Sequence, residues 1–149
     1  MIGCILLDTK IAEAHKVVEI EAVLAAPPRE VKLVVVPTKI EWNKNRIVEE
    51  IRATFPEEPN TAVAIATEEG GLLKERQSDY YKDGVRERSF CTFQIHEPSW
   101  HHKAIKLGYG DYKTNPASCI KMARYIYDKA GQSWKDWSAY NNGDYKKHL

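Results

Sequence analysis

The apolar positions after residue 41 recur at helical spacing and predict four helices. The first follows a cap at Asn43, and the second, a run of small and apolar residues, follows a cap at Asn60. The third has Asn115 as its cap and Pro116 at its first position, and the fourth has Ser133 as its cap. Their apolar residues are Ile47, Val48, Ile51 and Phe55 in the first helix, Ile120, Ala123, Ile126, Tyr127 and Ala130 in the third, and Trp134, Trp137 and Tyr140 in the fourth.

The second predicted helix differs from the others because it is apolar on nearly all sides. Its residues 61–69 precede Gly70-Gly71, and glycine is the usual residue at a helix end. A helix without a polar face is expected to be deeply buried. Residues 72–90 are polar, with a turn at Lys82-Asp83-Gly84 that would close a small hairpin. We therefore expect a mostly α fold of the α+β kind: a helical bundle around a buried central helix, with a small loop and hairpin lobe.

The first 40 residues have a different pattern from the rest of the chain. Apolar residues in 11–25 have helical spacing and stop at Pro27-Pro28, and residues 32–36 suggest a short strand. Nothing in this part suggests chemistry. We expect residues 1–40 to be an N-terminal extension and residues 41–149 to form the main domain.

Composition narrows the class of protein. With 149 residues, 43% of them hydrophobic, the chain can bury a core as one compact domain and is too apolar to be disordered. Its apolar runs are too short to span a membrane, and no basic residue precedes the short apolar run Gly3–Leu7 as in a signal peptide. Localisation therefore stays open.

The last 50 residues carry a net charge of +5, but acidic residues interrupt the basic ones, so we expect no nucleic-acid partner.

Cysteine and histidine spacing argues against a metal site. The chain has neither Cys-x-x-Cys nor His-x-x-x-His, and we expect no metal and no cofactor. The three cysteines, Cys4, Cys91 and Cys119, are an odd number, so at least one thiol is unpaired within the chain. A disulfide between Cys91 and Cys119 is one possible pairing, and the sequence does not show its geometry.

Glu69, at the end of the buried helix, is the candidate catalytic residue. A carboxyl against apolar walls loses solvation, so it keeps its proton closer to neutral pH. A protonated carboxyl can act as the general acid that protonates a glycosidic leaving oxygen. The alternative is that Glu68 and Glu69 are both solvated residues of a frayed helix end.

Three motifs in order carry a resemblance to a known family. They are Ala64-Ile65-Ala66-Thr67-Glu68-Glu69-Gly70-Gly71, Cys91-Thr92-Phe93-Gln94-Ile95 and Ala139-Tyr140-Asn141-Asn142-Gly143. Together with Asn115-Pro116 they resemble the lysozyme-like superfamily and, within it, the soluble lytic transglycosylase domains, over about residues 42–149. This resemblance implies a glycan cleft and cleavage of the β-1,4 bond between N-acetylmuramic acid and N-acetylglucosamine in peptidoglycan, without a cofactor.

The resemblance also implies roles for individual residues. Glu69 would be the single acid and base, and Gln94 would line the cleft floor beside it. Tyr140 would place its hydroxyl near Glu69 or the substrate's N-acetyl group, and Asn141 would fix that turn. His96 would touch substrate, although a solvent-facing histidine is equally compatible with the pattern. Large side chains at Trp137 and Tyr127 are expected to be core.

Four departures from the family pattern leave the product open. Ser89 occupies the place of an aspartate that stabilises the cation in the most similar lysozymes, which favours attack by the sugar's own 6-hydroxyl over hydrolysis. Asp79 and Asp83 would nevertheless be able to hold a water, so a hydrolytic muramidase is the alternative. Gly70 and Cys91 replace the family's Ser and Gly, and Cys119 replaces its usual Asn. These changes allow a third possibility, a glycan-binding module without turnover.

Overall fold

The computed structural model of the protein describes residues 40–149. The predicted helix 11–25, the predicted strand 32–36 and Cys4 lie outside the described residues. Residues Trp42–Leu149 form one compact unit.

This unit is mostly helical, as the sequence predicts, with two small antiparallel hairpins, of which the second was not predicted. Its helices are α1 (Lys44–Thr54), α2 (Pro59–Gly70), α3 (Glu97–Lys106), α4 (Pro116–Lys129), α5 (Ser138–Asn142) and a C-terminal 3-10 helix (Asp144–His148). Its strands are β1 (Tyr81–Lys82), β2 (Val85–Arg86), β3 (Ser89–Phe90) and β4 (Ile95–His96), paired β1 with β2 and β3 with β4. None of the helices in the range 40–149 has the length and apolarity needed to cross a bilayer.

Of the four predicted helix caps, Asn43 and Asn115 are confirmed, and Asn60 and Ser133 are wrong. The Asn43 side chain accepts a hydrogen bond from the Arg46 amide at 2.9 Å, and that of Asn115 accepts one from the Ala117 amide at 3.1 Å. Asn60, in contrast, lies inside α2, which begins at Pro59. Proline is well suited to the first helical position because its missing N–H would have no partner there and its φ is already helical.

The fourth predicted helix begins later than expected, and one helix was not predicted. α5 starts at Ser138, so Trp134 precedes it and Trp137 is its cap. The indole of Trp137 donates to the Phe93 carbonyl at 2.9 Å, so the residue before α5 is attached to the second hairpin turn. The unpredicted helix α3 begins with Glu97-Pro98, an acidic residue and a proline that are both favourable in a first turn.

The small lobe consists of the two hairpins. Asp83 and Gly84 both have positive φ, which is the backbone that a two-residue hairpin turn requires, and the predicted hairpin is confirmed. The second hairpin encloses residues 91–94 between β3 and β4. Cys91 of this turn is bonded to Cys119 of α4, with the two Cα atoms 6.3 Å apart. The disulfide therefore ties the second hairpin to the helical core.

Helix α2 is buried as predicted and packs against α1, α5 and the 3-10 helix. Four of its residues have no exposed surface: Ala62, Ala64, Ile65 and Ala66. An aromatic cluster fills the core beside them, formed by Phe55, Phe93, Tyr127, Trp134 and Trp137. The prediction that Tyr127 and Trp137 belong to the core is confirmed. This packing fixes the C-terminal end of α2, where Glu69 lies, against the small lobe.

Candidate functional site

A cleft of about 590 Å³ opens at the C-terminal end of α2. The end of α2, both hairpins and the segment leading into α5 form its walls. Its lining residues include Glu69, Asp79, Glu87, Ser89, Gln94, His96, Asp136, Trp137 and Ser138. The cleft is predominantly polar and open to solvent at one side, and Glu69 is its only lining residue from α2.

One oxygen of the Glu69 carboxyl is held by the segment at the start of α5. Oε1 accepts a hydrogen bond from the Ala139 amide at 2.8 Å and another from the Ser138 hydroxyl at 3.0 Å. Within residues 40–149, Oε2 has no hydrogen-bond partner. The carboxyl is therefore oriented through Oε1, and Oε2 is the oxygen left to face a bound molecule.

Burial raises the pKa of Glu69 above the ordinary value of a glutamate. The hydrogen bonds from Ala139 and Ser138 oppose this shift because they favour the charged form, and the nearby charges of Glu87 and Glu68 add to it. Desolvation is the largest of these effects. Glu69 thus has the environment expected of a general acid, since it keeps its proton at higher pH than a solvated carboxyl does.

The neighbouring Glu68 has the opposite environment. Its carboxylate pairs with Lys147 at 2.9 Å and with His148 at 2.8 Å, both on the C-terminal 3-10 helix. Hydrogen bonds from these two residues lower the pKa of Glu68. The two adjacent glutamates therefore differ in their surroundings and in the direction of their pKa shifts. Helix α2 continues through both of them to Gly70, which contradicts the alternative of a frayed helix end.

Three of the other predicted site residues line the same cleft as Glu69. Ser89 is buried in its wall, and Gln94 and His96 face it from the second hairpin. Gln94 has a positive φ, and its side-chain amide donates to the Cys91 carbonyl at 2.9 Å. The Nδ1 atom of His96 lies 2.8 Å from the Ser99 hydroxyl.

Tyr140 and Asn141 are not among the residues that line the cleft. Tyr140 stacks on Tyr145 with ring centroids 5.3 Å apart, and in the described part of the chain it makes no hydrogen bond to Glu69. In residues 40–149 the hydrogen bonds to the Glu69 carboxyl come from Ser138 and Ala139. The expected placement of the Tyr140 hydroxyl near Glu69 or the substrate's N-acetyl group stays a prediction. The Asn141 side chain donates to the Lys135 carbonyl at 2.8 Å, which closes the turn before α5.

The acidic residues proposed to hold a water are separated by the fold. Asp79 lines the cleft but pairs with the guanidinium groups of both Arg76 and Arg86. Asp83 lies instead in an adjoining groove of about 420 Å³ under the first hairpin. Glu87, which the sequence analysis did not single out, lines both the cleft and this groove.

Close packing explains one departure from the family pattern, and a disulfide explains another. A β-carbon on Gly70 would lie 2.5 Å from the carbonyl oxygen of Thr92, so the serine usual in the family would not fit here. Cys91, which stands where the family has glycine, has a φ of 63°. This left-handed backbone favours glycine, and in this chain the residue is fixed there by its disulfide to Cys119.

Sequence reasoning missed Ser138 and Glu87 as members of the site. Ser138 stands one residue before the Ala139 motif, and Glu87 lies in a charged loop with no motif around it. No periodicity marks either residue, because each reaches the cleft through the packing of a non-helical segment. The range 40–149 contains no cluster of three or more His, Cys, Asp or Glu side chains suited to a metal ion.

None of the protein-family models, curated proteins or solved structures compared with the chain matches it. The resemblance to the lysozyme-like superfamily therefore rests on the motifs, and it stays a prediction.

Proposed function

We propose that residues 41–149 form a lysozyme-like glycosidase that cleaves the β-1,4 bond between N-acetylmuramic acid and N-acetylglucosamine in peptidoglycan. The observation that carries this proposal is the Glu69 carboxyl, half-buried at the wall of a polar cleft with one oxygen fixed and the other free. The raised pKa of Glu69 supports its role as general acid. Ser89, Gln94 and His96 in the same cleft are the proposed substrate contacts.

The hydrogen-bond pattern suggests which oxygen carries the proton. Oε1 accepts from both Ser138 and Ala139, so it acts as the carbonyl-like oxygen of the protonated carboxyl. The proton then resides on Oε2 and is directed toward the bound glycan. Transfer of this proton to the glycosidic oxygen breaks the bond to the anomeric carbon, and the bonding electrons remain with the departing oxygen.

The second step that we propose is that of a lytic transglycosylase. The 6-hydroxyl of the same muramoyl residue attacks the anomeric carbon, and the ionised Glu69 takes up the hydroxyl proton. The result is a 1,6-anhydro end and a regenerated acid. Ser89 supports this route because a neutral hydroxyl stands where an aspartate would stabilise the cation in hydrolytic relatives.

A hydrolytic muramidase is the second candidate, favoured by the acidic residues Asp79 and Glu87 in the cleft. Either carboxylate would be able to orient a water that attacks in place of the 6-hydroxyl. Gly70 and Cys91 suggested the third possibility, binding without cleavage. In this fold the close approach of the Thr92 backbone explains Gly70, and the disulfide to Cys119 explains Cys91, so both residues give less support to that possibility.

Digestion of purified sacculi followed by mass spectrometry of the released fragments tests this proposal. We expect 1,6-anhydro ends with the wild-type protein and a loss on the order of 10²- to 10⁴-fold with Glu69→Gln. Glu68→Gln is the matched control, because it removes the adjacent carboxylate outside the cleft. Reducing ends would establish the hydrolytic candidate, and sacculus binding without any release by the wild type would overturn the enzymatic proposal.

A further inference from the structure

The groove of about 420 Å³ at the first hairpin is continuous with the cleft that contains Glu69. Tyr80, Glu87 and His96 line both spaces, so a molecule bound in the cleft can extend into the groove. The other lining residues of the groove come from the range 82–88 and from Pro98 in α3. The groove is therefore a binding surface beside the proposed reaction site.

One face of the first hairpin forms much of this groove. Lys82 lies opposite Val85 in the strand pair, and the Glu87 amide donates to the Tyr80 carbonyl at 2.9 Å, two residues further from the turn. Alternate residues of a strand share a face, and directly opposed residues of paired strands share it too. Tyr80, Lys82, Val85 and Glu87 therefore lie on one face, and all four line the groove.

This face presents apolar surface to solvent. Tyr80 is 62% exposed and Val85 is 69% exposed. Pro98, across the groove, is exposed as well. Apolar side chains that gather at the surface and are rimmed by polar groups are typical of a binding site. The groove thus offers a bound molecule apolar contacts that the folded domain does not use for its own core.

The unpaired charges of the groove have both signs. The Lys82 side chain is exposed and makes neither a hydrogen bond nor an ion pair with any residue in the range 40–149. Asp83 and Glu87 carry the opposite charge and have no ion pair within the same range. The two arginines that line the groove are instead neutralised by ion pairs of their own. A complementary ligand would carry carboxylate and ammonium groups together with small apolar side chains.

The chemistry of peptidoglycan favours its peptide over its sugars as this ligand. A strand of N-acetylated sugars is uncharged and offers Lys82 no partner. The lactyl group of the muramoyl residue, in contrast, bears a short peptide, the stem, which has alanine side chains, free carboxylates and, where it contains a diamino acid, an ammonium group. Because the stem is attached to a sugar bound in the cleft, it has to leave the cleft at one side, and the groove provides a continuous path.

We propose that this groove binds the peptide stem of the muramoyl residue whose glycosidic bond lies in the cleft. Lys82 pairs with a stem carboxylate, and Tyr80 and Val85 pack against its alanine methyl groups. This inference rests on the proposed function and specifies its substrate: peptidoglycan that still carries its peptides, in preference to bare glycan strands.

The experiment measures kcat/KM on two substrates, soluble glycan strands that keep their peptides and the same strands after an amidase has removed them. We expect Lys82→Gln and Val85→Ser each to lower kcat/KM about two- to fivefold on the peptide-bearing strands, and the double variant to lower it about tenfold. On the bare strands both variants should match the wild type, because neither residue lines the cleft around Glu69. Lys121→Gln is the matched control, since Lys121 is an exposed lysine of α4 outside the groove.

A binding measurement separates the groove from the reaction. The Glu69→Gln protein is titrated with the free tripeptide of peptidoglycan, which has carboxylates and an ammonium group but no sugar, and NMR spectra follow the backbone amides. We expect chemical-shift changes at Tyr80, Lys82 and Val85, and smaller changes when Lys82→Gln and Val85→Ser are added. Thermal unfolding shows whether each variant is folded, as the exposure of both side chains leads us to expect.

The outcomes distinguish the groove from the proposed reaction. Equal losses of kcat/KM on both substrates, or no loss on either, would overturn stem binding and leave the role of Glu69 intact, and so would a titration without shift changes at the first hairpin. A wild-type protein that releases no fragments from either substrate would overturn the glycosidase. Shift changes with the tripeptide would in that case still support the groove as a stem-binding site.

Discussion

The backbone of Thr92 approaches Gly70 so closely that helix α2 has no room for a β-carbon at that position. The Thr92 hydroxyl also donates to the Ala66 carbonyl at 3.3 Å, one turn earlier in the same helix. These contacts join the helix that carries Glu69 to the turn that carries Gln94. The absence of a side chain at residue 70 is thus a condition for assembling the two sides of the site.

Gly70→Ser and Gly70→Ala should both destabilise the protein by about 1–3 kcal/mol, because the added β-carbon would displace the Thr92 backbone. The two variants should behave alike, since they share the atom that collides. Chemical denaturation with a fluorescence readout measures the difference in the free energy of unfolding. A serine variant as stable as wild type would show that the Thr92 backbone can move to accommodate a β-carbon at residue 70, and that glycine is not required there.

Glu69→Gln should make the protein more stable at neutral and higher pH. Because burial raises the pKa of Glu69 in the folded state, the protonated carboxyl contributes stability at low pH, and this contribution is lost as the pH rises through the folded-state pKa. Glutamine is always neutral and can still accept the hydrogen bonds of Ser138 and Ala139. The gain in Tm over wild type should therefore increase with pH and disappear at about pH 4.

Glu68→Gln is a control for which the change in stability should have the opposite sign. The pKa of Glu68 is lowered by Lys147 and His148, so its ionised form contributes stability that is present above the unfolded-state pKa and is lost at low pH. This variant should have a lower Tm than wild type at about pH 7, and the difference should shrink on acidification. The same pH dependence in both variants would contradict the assignment of distinct environments.

Ser138→Ala should move the alkaline limb of the kcat profile to higher pH. The Ser138 hydroxyl favours the ionised form of Glu69, so its removal raises the pKa of that carboxyl further. We also expect kcat to fall several-fold, since one of the two bonds that orient Oε1 is lost. Ser133→Ala, in the same segment, should leave the pH profile unchanged because Ser133 does not contact Glu69. A limb that moves to lower pH would contradict the hydrogen-bond assignment.

The sequence by itself determined the elements that depend on local chemistry. Asn43 and Asn115 cap their helices with their own side chains, and Gly71 adopts the left-handed backbone that ends α2. The burial of α2 also follows from composition, since a helix without a polar face can only lie in a core. Glu69 at its end was identified for the same reason.

Only the tertiary structure decided which side chains meet Glu69. Ser138 and Ala139 reach it from 69 and 70 residues away, next to Trp137, which is anchored in the aromatic core. Glu87 enters the cleft through the fold of a hairpin that no hydrophobic period marks. Tyr140 falls outside the cleft because that short helix turns it toward Tyr145. These placements depend on contacts between distant segments, and the local pattern of a sequence does not encode them.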